Sequence, residues 1–192
     1  MTSRVSFVPP AMNTSLRLAR FDDGCSLDAG GEARARAAAG SLRPAVRVLV
    51  SPSARCRETA AALGLDAVGE ERLAGLDMGR WRGLTLDEVG AAEPQEVGRW
   101  LVDPDAAPHG GESVTDLCAR VGRWLDTARE TEGHTIAVVE PEIVRAVVVR
   151  VLGAPTAAFW RLDVPPLSVT SVSGRDGRWN LRLGQPLDPA AA

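Results

Sequence analysis

Two short aliphatic runs, Val46–Val50 and Thr135–Val139, constrain the fold of this chain more than any other feature. Both are continuous, without polar alternation, which is the pattern of a strand covered on both faces. Each ends at a proline-bearing turn, Ser51-Pro52 and Glu140-Pro141, that leads into a segment of helical length. At the first of these, Ser51 is read as the helix cap and Pro52 as the first helical residue, with the helix running to about Leu63. The following helix at the second turn is read over Ile143–Leu152. Arg4–Val8, closed by Pro9-Pro10, reads as a further strand, and Leu27–Leu42 as a helix capped around Asp28. Residues 66–95 read as loop-rich, Glu93–Leu101 and Val114–Thr131 as helices, and Leu167–Ser173 with Arg178–Leu183 as a hairpin around Gly174–Gly177. Strands separated by helices imply an α/β fold, a three-layer α/β/α sandwich with a mainly parallel sheet. One domain is expected over residues 1–186, with an Ala/Pro-rich disordered tail over 187–192.

Composition excludes several function classes. A net charge of −3 leaves no basic footprint for nucleic acid or an anionic membrane. No apolar run approaches the ~20 residues that span a bilayer, and the N-terminus lacks a charged segment followed by an apolar one. The expected location is cytoplasmic. All 22 basic residues are arginine, so no lysine is available for Schiff-base chemistry. Cys25, Cys56 and Cys118 share no CxxC spacing and read as reduced thiols. No His/Cys/Asp cluster has metal-ligand spacing and no dinucleotide or P-loop motif occurs, so neither a metal nor another cofactor is expected.

Ligands of such sheets bind at the carboxyl ends of the strands. Near those ends the chain resembles the histidine phosphatase (phosphoglycerate mutase-like) superfamily. Ser51-Pro52-Ser53-Ala54-Arg55-Cys56-Arg57-Glu58-Thr59-Ala60 is similar to its S-P-x-x-R-x-x-[QE]-T-A signature. Leu73–Gly83 resembles its L-x-[ED]-x-D-x-G-x-W-x-G segment, and Pro108-His109-Gly110-Gly111-Glu112-Ser113 its GGES loop. Ile143-Val144-Arg145-Ala146 matches the helix start after the second catalytic histidine, and Phe159–Asp163 and the last hairpin fit as well. The resemblance covers nearly the whole chain and implies the family's fold, with Arg55 as the phosphate-binding arginine.

The departures lie at the reactive positions. Pro9 and Pro10 stand where the resemblance places an arginine and the phosphorylated histidine, Gly75 where it places an acidic proton donor, and Glu140 where it places the second histidine. These departures give the expectation of a divergent member without phosphohistidine chemistry. The candidate catalytic residues are Glu140, Arg55 and His109. Glu140 is a carboxylate at a pocket-facing strand end, Arg55 would pair with it or hold a substrate, and His109 titrates near neutrality. Pro10, Asp77, Glu112, Glu142 and Trp81 are candidate substrate-binding residues. Plain alternatives stand beside them: an Arg55–Glu140 salt bridge filling the site, Glu142 complementing a helix N-terminus, Glu112 and Asp77 organising loops, and Trp81 packing in a core. Two functions follow. One is a cofactor-free acid–base enzyme acting on a small organic substrate by cyclisation, isomerisation, dehydration or lyase chemistry, for instance in bacterial specialised metabolism. The other is an inactive pseudophosphatase that binds a ligand or protein. The expected partner is a small molecule, and a homodimer is left open.

Overall fold

The computed structural model describes residues 3–175 and 178–187. Its elements are β1 (Ser3–Val8), α1 (Thr14–Arg17), α2 (Ala29–Ala37), β2 (Arg47–Val50), α3 (Ala54–Ala62), β3 (Val68–Gly69), α4 (Leu86–Ala92), α5 (Pro94–Val102), α6 (Val114–Ala128), β4 (Gly133–Val138), α7 (Pro141–Leu152), β5 (Ser168–Arg175) and β6 (Arg178–Pro186). Short 3-10 turns occupy Glu71–Leu73, Gly79–Trp81 and Thr156–Arg161. The six strands form one sheet in the order β3-β2-β4-β1-β5-β6. β1 to β4 are mutually parallel, and β5 and β6 add an antiparallel hairpin.

The aliphatic runs explain the layering. On one face Val5, Phe7, Leu49 and Ala137 pack against α6, α7 and Phe159, and Phe7 meets the Trp124 ring edge-on at 6.0 Å. On the other face Val8, Val50, Ile136 and Val138 pack against Cys56, Ala60 and Leu63 from α3 and its end, and against Ala38 just beyond α2. A strand that must satisfy both layers has no room for polar alternation, which is why β2 and β4 read as unbroken apolar runs. A satellite cluster of Met78, Trp81, Val89 and Trp100 lies beneath the loops after β3.

Several boundaries differ from the sequence expectation, each for a local reason. α3 is capped by Ser53, whose Oγ accepts from the Cys56 amide at 3.3 Å. Ser51 still belongs to the ladder, its amide donating to the Val138 carbonyl at 2.9 Å, so the chain leaves the sheet two residues later than the Ser-Pro pair suggested. α2 stops at Ala37 rather than Leu42, followed by Gly40 at φ +79. The stretch 66–95 carries β3 and α4, the latter opened by a Thr85/Glu88 capping box. Leu187, expected as the first residue of a disordered tail, is held instead by its amide donating to the Leu167 carbonyl at 2.9 Å, while the rest of that tail, 188–192, and residues 176–177 of the hairpin turn lie outside the described residues. Among the described residues, no helix is long and apolar enough to cross a membrane.

Candidate active site

The site is assembled by register. Val8 of β1 and Val50 of β2 both lie level with Val138 of β4. The residues that follow each strand therefore emerge at one edge of the sheet, and two helices begin there: α3 after β2, and α7 after β4. Arg55 is the second residue of α3, and Glu140 immediately precedes α7.

These two side chains meet. Arg55 Nε donates to Glu140 Oε1 at 2.9 Å, and Arg55 Nη2 donates to Glu140 Oε2, a parallel two-bond pairing. Both residues are buried, at 5% and 3% exposure, so the pair is held out of bulk water. Glu140 makes no capping bond to its own helix; its oxygens are committed to Arg55. The Cys56 thiol lies 3.6 Å from Glu140 Oε1. Burial, and then the Glu140 charge, push that thiol well above its usual range, so it is a protonated S–H donor. Burial opposes the Arg55 charge, but Glu140 outweighs it and the guanidinium is held more firmly protonated than usual.

Glu142, one residue into α7 beyond Pro141, stands close enough for its charge to act on both members of the pair. Its carboxyl is pushed above the ordinary value of 4.5, first by burial and then by Glu140, against the pull of Arg55 and Arg145. Two neighbouring carboxyl groups thus occupy unlike environments. Glu140 is clamped by a guanidinium, whereas Glu142 is biased toward its protonated form.

Gly75 packs against this pair: a Cβ there would lie 3.0 Å from Glu140 Cγ. The same glycine lines an open recess of about 390 Å³, together with Asp77, Gly110, Gly111, Glu112 and Arg120. Arg120 closes the wall, donating to Glu112 Oε1 and Oε2 at 2.9 and 2.7 Å and to the Ala74 carbonyl at 3.0 Å. Asp77 Oδ1 accepts from the Gly79 amide at 3.0 Å, and its carbonyl accepts from the Glu112 amide at 2.9 Å. Asp77 and Glu112 therefore organise their loops and face the recess at the same time.

The remaining candidates fall elsewhere. His109 is 1% exposed, its ring centroid 5.2 Å from Trp81 and 6.5 Å from Trp100, and its Nδ1 accepts from the Gly111 amide. Burial lowers its pKa, so the ring is neutral and carries its proton on Nε2. It hydrogen-bonds to neither Arg55 nor Glu140. Trp81 is fully buried between Phe21, Trp100 and His109 and does not line the recess. Pro10 is buried at the end of β1, where the next amide, Ala11, donates to Thr59 Oγ1 of α3 at 3.0 Å. Cys56 and Thr59 were not singled out from the sequence, although both lie on the helix that carries Arg55. Ser51 Oγ, buried at the end of β2 without a hydrogen-bond partner among the described residues, is a further polar group that sequence reasoning does not single out. The one signal for these three was membership of the Arg55 motif.

The profile of the histidine phosphatase superfamily (branch 1) matches residues 11–185, beginning one residue after Pro10. The "Bifunctional protein Rv2228c" of Mycobacterium tuberculosis (strain ATCC 25618 / H37Rv) is 35% identical over 144 residues, which is 71% of this chain and 39% of that protein. "Phosphoserine phosphatase 1" of Hydrogenobacter thermophilus is 31% identical over 106 residues, covering 54% of this chain and 50% of that one. A mycobacterial glucosyl-3-phosphoglycerate phosphatase, whose structure is described as complexed with VO3, superposes with a TM-score of 0.84 at 26% identity, over 96% of this chain and 99% of that one. This chain thus spans 39% of the length of the first of these relatives. The phosphatase names overturn two expectations drawn from the substituted strand ends: a cofactor-free isomerase, lyase or cyclase, and an inactive binding module. They also correct the reading of the chain as a divergent member outside phosphatase chemistry. The three-layer fold and the family motifs agree: the chain belongs to the histidine phosphatase superfamily, branch 1.

Proposed function

We propose that this chain hydrolyses the phosphate monoester of a small molecule at the edge where β1, β2 and β4 end. The observation that carries this reading is the buried Arg55–Glu140 pair, with Glu142 beside it. The relatives named as phosphatases, one of them a phosphoserine phosphatase and another described with VO3, support the substrate class.

The chemistry follows from the groups present. A guanidinium has five N–H donors, and Glu140 engages only those of Nε and Nη2, which leaves Nη1 to meet phosphoryl oxygens. Glu140, oriented by its two-bond pairing with Arg55, accepts a proton from the water that attacks phosphorus. Glu142, biased toward its protonated form, returns a proton to the departing ester oxygen. Pro9 and Pro10 offer no nucleophile, so the phosphoryl group passes directly to water. The recess over Gly75 supplies the approach, with Asp77 and Glu112 on its wall. His109 and Trp81 support the loop from beneath.

The test is phosphate release from a panel of phosphomonoesters that includes phosphoserine and sugar phosphates. At least one ester should be hydrolysed by the chain, and Glu140→Gln should slow it by roughly 100-fold or more, the usual loss when a general base is removed. Equal background release by both proteins across the panel would overturn the proposal.

A further inference from the structure

Away from that edge, the antiparallel end of the sheet carries a second concavity. α2 and α3 pack over β2, β4 and the end of β1, but the antiparallel strands β5 and β6 continue past them. The exposed face forms a groove of about 830 Å³ between this hairpin and the segment after α2.

The register explains its chemistry. His134, Arg4, Ser173 and Asn180 stand side by side across β4, β1, β5 and β6. Two residues along, Ser6, Ser171 and Arg182 form a second row across β1, β5 and β6. Alternate residues of a strand share a face, so both rows point the same way. The floor is hydrogen-bonded: His134 Nδ1 donates to the Pro44 carbonyl at 3.0 Å, His134 Nε2 lies 2.9 Å from Ser6 Oγ, and Ser6 Oγ lies 3.0 Å from Ser171 Oγ. Arg43 from the segment after α2 adds a third guanidinium to those of Arg4 and Arg182. All three are exposed, none forms an ion pair with a described residue, and no described carboxylate lines the groove.

We infer that this groove binds a small oligoanion, a molecule with two or more phosphate or carboxylate groups spaced to meet Arg4, Arg43 and Arg182. Three like charges line one concave surface without a counter-charge among the described residues, and guanidinium forks match both kinds of anionic group in a two-bond geometry. A second copy of the chain stacked face to face would set arginine against arginine, so the charge favours an anion over self-association. The site is separate from Arg55 and Glu140, and the proposal does not depend on the reaction assigned to them.

The experiment is calorimetric titration of the full chain at low salt with inorganic tripolyphosphate, and in a parallel arm with citrate. Saturable one-site binding is expected for one or both ligands, and the stronger arm identifies phosphate or carboxylate as the preferred group. The exposed pair of substitutions Arg4→Ala/Arg182→Ala should weaken binding at least tenfold. Arg123→Ala/Arg161→Ala, a change of equal charge elsewhere on the surface, and Glu140→Gln should leave it within about twofold, as expected for distant independent sites. Equal binding by the double variant would overturn the proposal, as would loss in Glu140→Gln alone, which would move the ligand to the strand-end cleft. Binding seen only after removal of residues 188–192 would assign the groove to the chain's own end and overturn it too.

Discussion

Arg55 and Glu140 form the kind of pair whose value depends on what replaces it. Removing one partner strands a buried charge, at a typical cost of about 3–5 kcal/mol, whereas replacing both by apolar residues of similar volume is often neutral. Glu140→Ala should therefore lower unfolding free energy by roughly 3 kcal/mol or more, while Arg55→Met/Glu140→Leu recovers most of the loss without recovering activity. Urea denaturation of the three proteins checks this, and a double variant no more stable than the single one would contradict it. Glu142 gives a prediction of opposite character. Its folded pKa is raised above 4.5, so the folded chain holds this proton more tightly than the unfolded chain. That contribution is complete below 4.5 and is lost as pH rises through the raised value. Glu142→Gln should thus gain stability relative to wild type between about pH 4 and about pH 8, and a constant difference across that range would refute the assignment. At this scale the pairing of Arg55 with Glu140 was legible, because both follow apolar runs that end at the same sheet edge. The contacts of Cys56, Thr59 and Gly75 were not, because no pattern in the chain reports which side chain fills the space beside another.

Elements deliver those residues through local chemistry that sequence patterns resolve only in part. β2, β4, α6 and α7 are long or apolar enough to be read directly, and their ends fall within a few residues of the expectation. α1, with four residues, and β3, with two, are too short for any periodicity to show. The start of α3 was misplaced by two residues because Ser51 looks like a cap but is held by the ladder. The loops beneath the recess depend on backbone contact instead. A Cβ on Gly111 would lie 2.1 Å from the Asp77 carbonyl oxygen, and one on Gly79, at φ +46, would lie 2.2 Å from that of His109. These glycines let two loops touch main chain to main chain, and that contact places Asp77 and Glu112. Gly111→Ala should cost about 1–3 kcal/mol, the usual penalty of overpacking, and should impair turnover beyond that loss. Thermal unfolding and phosphate-release kinetics on one preparation check it, and an unchanged melting temperature would contradict the contact.

The whole molecule joins one sheet to two surfaces of unlike character, a carboxylate-rich edge at the ends of the parallel strands and an arginine-lined groove on the antiparallel hairpin. The sequence motifs point to the fold that the structure shows. They misdirect the function, because Pro10 removes the expected nucleophile and Glu140 reads as a base for other chemistry, whereas the relatives keep the chain within a family of phosphatases. The groove escaped the sequence reading because Arg4, His134, Ser173 and Asn180 come from four strands and meet only through their register. The central claim, that Glu140 held by Arg55 serves as the base for phosphoester hydrolysis, is tested most directly by steady-state phosphate release from the best ester of the panel, compared in wild type and Glu140→Gln. The account predicts that kcat falls roughly 100-fold or more with KM changed little, since the lost group acts on the attacking water rather than on the bound substrate. Equal kcat in the two proteins, or a wild type that releases no phosphate from any ester, would contradict it.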